Sequence, residues 1–214
     1  MSEDMLGDWR KKHTTAEITP EKSGEETILT GWVEDMKDLG GIKFFNLHDS
    51  KGKIQITAPE AKVEKSIFDK FDSLTKESAV AVKGKITESD QAPGGVEIIP
   101  NEIRNLNPAI TPLPLDPTGR VKADMDTRLD ARLLDLRRPK PQAIFKIKHE
   151  VIQAIRETLL SEDFHEVNTP KIVGSATETG AMLFPVSYFE KEAFLSQSPQ
   201  LYKEILTGSF EKIF

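Results

Sequence analysis

Two stretches near the C-terminal end carry side chains arranged to bind a small charged ligand. The sequence QSPQLYK, residues 197–203, ends a predicted strand and enters a predicted helix, whose free N–H groups and positive dipole end can hold a carboxylate. Gln200 and Lys203 are three residues apart and therefore share one helical face, which suits a small acidic ligand. On the residues alone, an ordinary capped surface helix is the favoured alternative. The loop ATETG, residues 176–180, carries Glu178 and is either a mobile lid or an ordinary loop.

A third set of residues lies in predicted strands of the N-terminal half. Phe44 and Phe45 are adjacent, so one faces the core and the other faces outward. An outward ring on a barrel can stack on an unpaired base, although packing under a helix or loop is the favoured alternative from the pattern alone. Gln55 and Glu97 lie in two further predicted strands and could read base edges.

Other common chemistries lack the residues that they require. The chain has no cysteine, which excludes disulfides, thiolate zinc sites and cysteine nucleophiles. Its four histidines show no metal-like spacing, so we expect no metal site. Neither a P-loop nor a nucleophile elbow is present, so phosphate-loop and ordinary hydrolase chemistries have no support. No apolar stretch approaches the ~20 residues of a membrane span, and the N-terminus lacks a signal peptide. We therefore expect a cytoplasmic protein with no membrane partner.

The charge of the chain is unevenly distributed. The formal net charge is −6, and residues 1–108 carry 15 basic and 20 acidic side chains. Residues 120–148, in contrast, carry nine basic and four acidic side chains. This asymmetry indicates a surface facing a polyanion, although a solvated basic face explains it equally well.

The N-terminal half has the element order of an OB-fold barrel. Residues 1–13 carry no periodic pattern and are expected to form a flexible tail. The pattern of Ile, Val and Phe between turn residues predicts five strands, with a helix between the third and fourth, at residues 62–74. The strands are predicted at residues 27–37, 41–48, 53–57, 78–86 and 95–106. Three strands, a helix and two strands in this order are typical of an OB-fold.

The C-terminal half begins after a proline-rich segment at residue 107, which is expected to be an extended linker. A short leucine-containing helix is predicted to end at Pro139. An apolar stripe then predicts a long helix over residues 142–160. Alternating residues predict a hairpin with its turn at residues 190–192, followed by another helix, and the final KIF begins an apolar strand.

Together these segments resemble the N-terminal half of the archaeal/eukaryotic-type aspartyl-tRNA synthetases, a family of class II aminoacyl-tRNA synthetases. The matching motifs include GWVEDMKDLGGIKFFNLHD, IQITAP, TPLPLDPTGRVKADMDTRLDARLLDLRRP, FHEVNTPKIV, ATETG, LFPVSYF and FLSQSPQLYKEIL. The resemblance implies an α+β fold with an all-β N-terminal domain. An OB-fold anticodon-binding barrel at residues 14–106 is followed by a hinge at 107–138. Residues 139–214 then start the antiparallel-sheet catalytic domain, with motif 1 and the flipping loop but neither motif 2 nor motif 3.

The resemblance also assigns roles to residues of the barrel and of the long helix. Phe44 would stack on an anticodon base, and Gln55 and Glu97 would read the anticodon. Glu34 and Pro93 would lie near the base that separates tRNA(Asp) from tRNA(Asn). The long helix corresponds to motif 1, the homodimer interface of the family, with candidate interface residues Ile144, Ile147, Val151, Ile155 and Pro170.

The amino-acid pocket of the family falls on the two stretches described first. Glu178 matches the acidic residue of the loop that closes over the substrate ammonium group, although Thr179 stands where the family usually has glycine. Ser198, Gln200 and Lys203 match the QSPQxxK element, in which the lysine faces the side-chain carboxylate of aspartate. Such a pair is the physical basis for choosing aspartate over asparagine.

The resemblance places the residues that bind ATP and Mg²⁺ beyond residue 214, in motifs 2 and 3. Residues 1–214 are therefore expected to bind an anticodon without activating aspartate, whereas the intact protein is expected to be an aspartate–tRNA ligase and a homodimer. Its partners would be L-aspartate and tRNA(Asp), and tRNA(Asn) is left open as a second substrate. The alternative is a non-catalytic OB-fold RNA-binding protein. A genuine stop after codon 214 would favour this alternative. The ending inside KIF instead favours a truncated enzyme.

Overall fold

The computed structural model describes residues 4–174 and 184–214, and the chain divides into two compact units. The first unit is Met1–Pro114 and the second is Leu115–Phe214. The boundary falls inside the proline-rich segment, where proline removes the backbone donors that a helix interior or a central strand needs.

The first unit is a closed five-stranded barrel, which confirms the predicted OB-fold. The strands follow the order β1-β2-β3-β5-β4, and β4 pairs with β1 to close the barrel. Strands β3 and β5 are parallel, whereas the other pairs are antiparallel. The strands are β1 Glu26–Asp38, β2 Ile42–His48, β3 Lys53–Pro59, β4 Ala79–Glu88 and β5 Val96–Asn107.

Alternate residues of each strand fill the barrel. Phe45, Leu47 and Ile56 are fully buried, and the ring of Phe45 lies 5.3 Å from that of Phe71. Phe71 follows helix α1, Lys65–Lys70, in a 3₁₀ turn, so the helix is shorter than the sequence predicts. The helix and turn cover one end of the barrel with buried apolar side chains, which are Ile67, Phe68, Phe71 and Leu74.

The segment before the barrel differs from the expected flexible tail. From residue 4 onward it packs on the barrel, and Trp9 is only 7% exposed, with the guanidinium of Arg104 over its ring at 3.9 Å. The backbone N–H of Lys12 donates to the carbonyl of Ile28 at 2.9 Å. The prediction was wrong because one isolated tryptophan and backbone hydrogen bonds leave no periodic signal in a sequence.

Asp49 fastens this segment to the turn after β2. Its carboxylate accepts hydrogen bonds from the Lys11 ammonium at 2.7 Å, from the Thr15 hydroxyl at 2.7 Å and from the Lys51 N–H at 2.8 Å. Burial raises the pKa of Asp49, but these donors together hold its pKa well below the usual range. The ionised carboxylate therefore stabilises the junction at neutral pH.

In the residues that the structure describes, 115–174 and 184–214, the second unit contains four helices and a small sheet. The helices are α2 Met125–Asp130, α3 Arg132–Asp135, α4 Pro139–Ser161 and α5 Gln200–Phe210. Proline is well tolerated in the first turn of a helix, so Pro139 begins α4, which starts three residues before the predicted residue 142. No helix in residues 4–174 and 184–214 is both long enough and apolar enough to cross a membrane.

Residues 115–138 belong to the second unit rather than to a hinge, because they fold around a buried carboxylate. Asp135 is fully buried and accepts hydrogen bonds from Arg132 at 2.6 Å, Arg128 at 2.9 Å and Arg138 at 3.3 Å. The hydrogen bond from Arg128 is the main reason why the pKa of Asp135 lies below its usual range. Three of the basic residues in segment 120–148 thus form ion pairs with Asp135.

The sheet of the second unit is antiparallel, with the order β6-β8-β7. Its strands are β6 Ile172–Val173, β7 Phe184–Tyr188 and β8 Lys191–Leu195. The hairpin was predicted, but its turn lies at Phe189 and Glu190, because Tyr188 already pairs with Lys191. The final KIF is extended, as predicted, and Ile213 forms a parallel bridge with His165.

Candidate functional sites

The outer face of the barrel brings together three of the predicted site residues. Phe44 points outward and is half-buried, whereas Phe45 lies in the core. Phe44 pairs with Thr57 across β2 and β3, and Gln55 pairs with Glu97 across β3 and β5. Because side chains alternate along a strand, all four outward residues share one face of the sheet.

Hydrogen bonds connect the polar residues of this face into what we call the polar triad, Gln55, Thr57 and Glu97. The Thr57 hydroxyl donates to Glu97 Oε2 at 2.6 Å. Gln55 Nε2 donates to Thr57 Oγ1 at 3.0 Å and to Glu97 Oε2 at 3.1 Å. Sequence reasoning missed Thr57, although its place two residues after Gln55 puts both side chains on one side of β3.

A surface pocket of about 220 Å³ lies beside Phe44. The ammonium of Lys43 is bound by both oxygens of Asp72, at 2.6 and 2.7 Å, and this hydrogen bonding raises the pKa of Lys43. The ammonium of Lys37 lies 5.8 Å from the centre of the Phe44 ring. The pocket therefore places one cation, Lys37, over an aromatic ring, as single-stranded nucleic-acid sites do, whereas the charge of Lys43 is already paired with Asp72. Its lining consists of Met36, Lys37, Asp38, Lys43, Phe44, Phe71 and Asp72.

The two residues expected near the discriminating base lie in different environments. Glu34 on β1 is buried and forms an ion pair with Lys53, while its backbone pairs with Asn46. Pro93 is exposed and begins the 3₁₀ turn Pro93–Gly95 before β5. Glu34 is thus a paired carboxylate, whereas Pro93 presents only an apolar ring to solvent.

The QSPQLYK segment forms the start of α5, directly after β8, which is the central strand of its sheet rather than an edge. The Ser198 hydroxyl accepts a hydrogen bond from the Gln200 N–H at 3.2 Å. The Gln200 side-chain amide donates to Glu204 at 2.8 Å, and half-buried Lys203 lies one turn beyond Gln200. Glu178 and Thr179 lie outside the described residues.

The apolar stripe of α4 is exposed on its unit. The four predicted interface residues of the stripe are 52–63% exposed, and Pro141 is the one buried residue of the helix. Pro170 is also exposed. The stripe consists of Ile144, Ile147, Val151 and Ile155.

Within residues 4–174 and 184–214, no group of three or more histidine, aspartate or glutamate side chains is arranged to hold a metal ion. Glu97 accepts a hydrogen bond from Thr57, Glu34 forms an ion pair with Lys53, and Asp135 is bound by arginines.

Two family models match the chain. Residues 27–106 match the OB-fold nucleic acid binding domain, and residues 124–214 match the class II tRNA synthetases of the D, K and N group. The first match coincides with the barrel, and the second covers α2 to the last residue.

The similar curated relatives and solved structures are also aminoacyl-tRNA synthetases. The aspartate–tRNA(Asp/Asn) ligase of Methanococcus maripaludis is 53% identical over 98% of this chain, and that of Methanopyrus kandleri is 57% identical over 94%. Asparaginyl-tRNA synthetase from Pyrococcus horikoshii, complexed with asparaginyl-adenylate, superposes with a TM-score of 0.87 at 36% identity, covering 95% of this chain and 46% of that one. The chain spans about half the length of the curated relatives it matches, 48% and 47%.

Proposed function

Because the chain belongs to the aspartyl-tRNA synthetase family of class II, we propose that the intact protein is an aspartate–tRNA ligase. Aspartate would attack ATP to form aspartyl-adenylate and release pyrophosphate, and the 3′-terminal hydroxyl of tRNA would then accept the aspartyl group and release AMP. The relatives act on tRNA(Asp/Asn), so we propose tRNA(Asp) and tRNA(Asn) as substrates. The reaction would take place in the cytoplasm.

The observation that carries this proposal is the convergence of Phe44, Gln55 and Glu97 on one barrel face. An aromatic ring that can stack on a base lies beside polar groups that can bind a base edge, which are the two components of single-strand recognition. The barrel therefore binds the anticodon in this proposal. The match of residues 124–214 to the synthetase model favours the enzyme over a non-catalytic RNA-binding protein.

The second unit would contribute the amino-acid pocket. Lys203 would pair with the side-chain carboxylate of aspartate, while Ser198 and Gln200 orient the substrate and Glu178 binds its ammonium group. ATP supplies the adenylyl group, and its ligands and those of Mg²⁺ would lie beyond residue 214. Residues 1–214 alone are therefore expected to bind RNA without catalysing aspartate-dependent ATP–pyrophosphate exchange.

Phe44→Ala tests the anticodon role. We expect the substitution to weaken binding of an anticodon stem–loop by about 1–3 kcal/mol, because the loop loses one stacking surface. The measurement is a fluorescence titration of residues 1–214 at fixed salt, since salt changes affinity independently. Phe45→Leu, in the core, is the matched control and is expected to lower stability rather than RNA affinity. Unchanged affinity in a folded Phe44→Ala protein would contradict the role.

The exposed stripe of α4 would form the homodimer interface. Val151→Glu is expected to shift the protein toward monomer in light scattering, because it places a charge in the centre of an apolar contact. His149→Glu is the matched control, since at about 100° per residue it lies on the other side of α4 from the stripe. A monomeric parent protein, or equal effects of both variants, would count against this interface.

A further inference from the structure

We propose that Glu204 is a positioning residue of the amino-acid pocket, which holds the Gln200 side chain so that its carbonyl oxygen is presented to the ammonium group of the substrate. The inference rests on the proposed function, in which Gln200 orients aspartate. Glu204 lies one turn further along α5 than Gln200 and acts through the Gln200 amide rather than by touching the substrate.

The hydrogen bond between the two residues determines which end of the Gln200 amide faces Glu204. Gln200 Nε2 lies 2.8 Å from Glu204 Oε1. A carboxylate has no proton to donate, so only the NH₂ end of an amide can bind it. The reversed amide would place two acceptor oxygens against each other. The carbonyl oxygen of Gln200 is therefore held on the side of the amide that faces away from Glu204.

The backbone that carries Gln200 is fixed by hydrogen bonds made before the helix begins. The Ser196 N–H donates to the carbonyl of Lys171 at 2.8 Å, and the Ser196 hydroxyl donates to the carbonyl of Ser198 at 3.0 Å. The Ser198 hydroxyl in turn accepts a hydrogen bond from the Gln200 N–H at 3.2 Å. Because the backbone is held in this way, the freedom that remains at Gln200 is rotation of its side chain, which the bond to Glu204 limits.

A carbonyl oxygen held in this orientation suits one end of the substrate. The α-ammonium group of an amino acid carries only donors, whereas the side-chain carboxylate of aspartate only accepts. The Gln200 oxygen binds the first group and repels the second. Lys203, which lies on the same helical face, has the opposite preference. The two residues together therefore set the direction of aspartate along α5, with its ammonium group toward Gln200 and its side-chain carboxylate toward Lys203.

An equivalent hydrogen bond elsewhere in the second unit supplies a matched control. On α4, Gln153 Nε2 donates to Glu157 Oε1 at 2.7 Å, with the same four-residue spacing. Both pairs are exposed, and pairs of this kind stabilise a helix only slightly. A substitution of Glu157 therefore repeats the loss of a surface hydrogen bond at a place that has no role in the proposed pocket.

The experiment measures aspartate-dependent ATP–pyrophosphate exchange in the full-length protein. Glu204→Met keeps the length of the side chain but removes the acceptor, and we expect the KM for aspartate to rise about fivefold while the KM for ATP is unchanged. Glu204→Gln retains an acceptor oxygen. Because two facing amides can also turn over together, its KM for aspartate is expected to rise by no more than about twofold. Glu157→Met is expected to leave both KM values unchanged.

A double-mutant cycle tests whether Glu204 acts through Gln200. If it does, Glu204→Met adds no further loss in the Gln200→Ala background. An undiminished loss in that background, or equal effects of Glu204→Met and either Glu204→Gln or Glu157→Met, would overturn the positioning role while leaving the ligase function intact. A folded full-length parent protein without aspartate-dependent exchange would overturn the proposed function and this inference with it.

Discussion

Lys203→Ala in the full-length protein is expected to lower aspartate activation by about 30- to 5,000-fold in kcat/KM, which corresponds to about 2–5 kcal/mol. The reason is the loss of the cation proposed to pair with the side-chain carboxylate of aspartate. Lys203 stands half-buried one turn into α5, on the same helical face as Gln200. The measurement is aspartate-dependent ATP–pyrophosphate exchange.

Two comparisons make this test specific. Lys191→Ala removes an exposed lysine in β8 of the same unit and is expected to leave the exchange unchanged. Discrimination against asparagine should also fall in Lys203→Ala, because the lysine favours a carboxylate over a neutral amide. Full activity with undiminished discrimination would remove Lys203 from the pocket.

Asp135→Asn is expected to destabilise the second unit by about 3 kcal/mol. The substitution removes a fully buried carboxylate from three arginines and replaces it with an amide that places a donor among donors. The measurement is urea unfolding by far-UV circular dichroism, because the long helices belong to the second unit. Both tryptophans, Trp9 and Trp32, lie in the first unit, so tryptophan fluorescence reports the unaffected barrel.

The stability cost of Asp135→Asn should also depend on pH. The arginines, Arg128 first, lower the pKa of Asp135 in the folded state below the ordinary value of 3.8. The contribution of the ionised carboxylate is therefore complete above that value and is lost as the pH falls through and below it. The difference in unfolding free energy between parent and variant should shrink on acidification. Asp130→Asn, at an exposed position of α2, is the control, and a pH-independent difference would contradict the ion-pair explanation.

The sequence by itself determined the barrel, the long helix and the candidate site residues. The strands of the first unit lie within two residues of their predicted bounds, because alternating apolar residues and turn residues are local signals. The amphipathic stripe of α4 was visible for the same reason. Residue spacing also indicated that either Phe44 or Phe45 must face outward, and motif resemblance selected Phe44.

Only the tertiary structure decided which polar groups meet. Thr57, Gln55 and Glu97 form one network because the parallel pairing of β3 and β5 brings residues 42 positions apart into contact. Trp9 likewise contacts a residue that is distant in sequence, because its ring packs under the Arg104 guanidinium. The segment that was expected to be a flexible tail is therefore docked on the barrel. Asp135 and its arginines are close in sequence, but their ion pairs stabilise the fold because Asp135 is fully buried. A sequence shows the charges but does not show that water is excluded from around them. The periodicity of a segment indicates which side of a strand or helix a residue faces. Which residues it contacts on other strands and loops depends on how distant parts of the chain come together, and no local pattern encodes this.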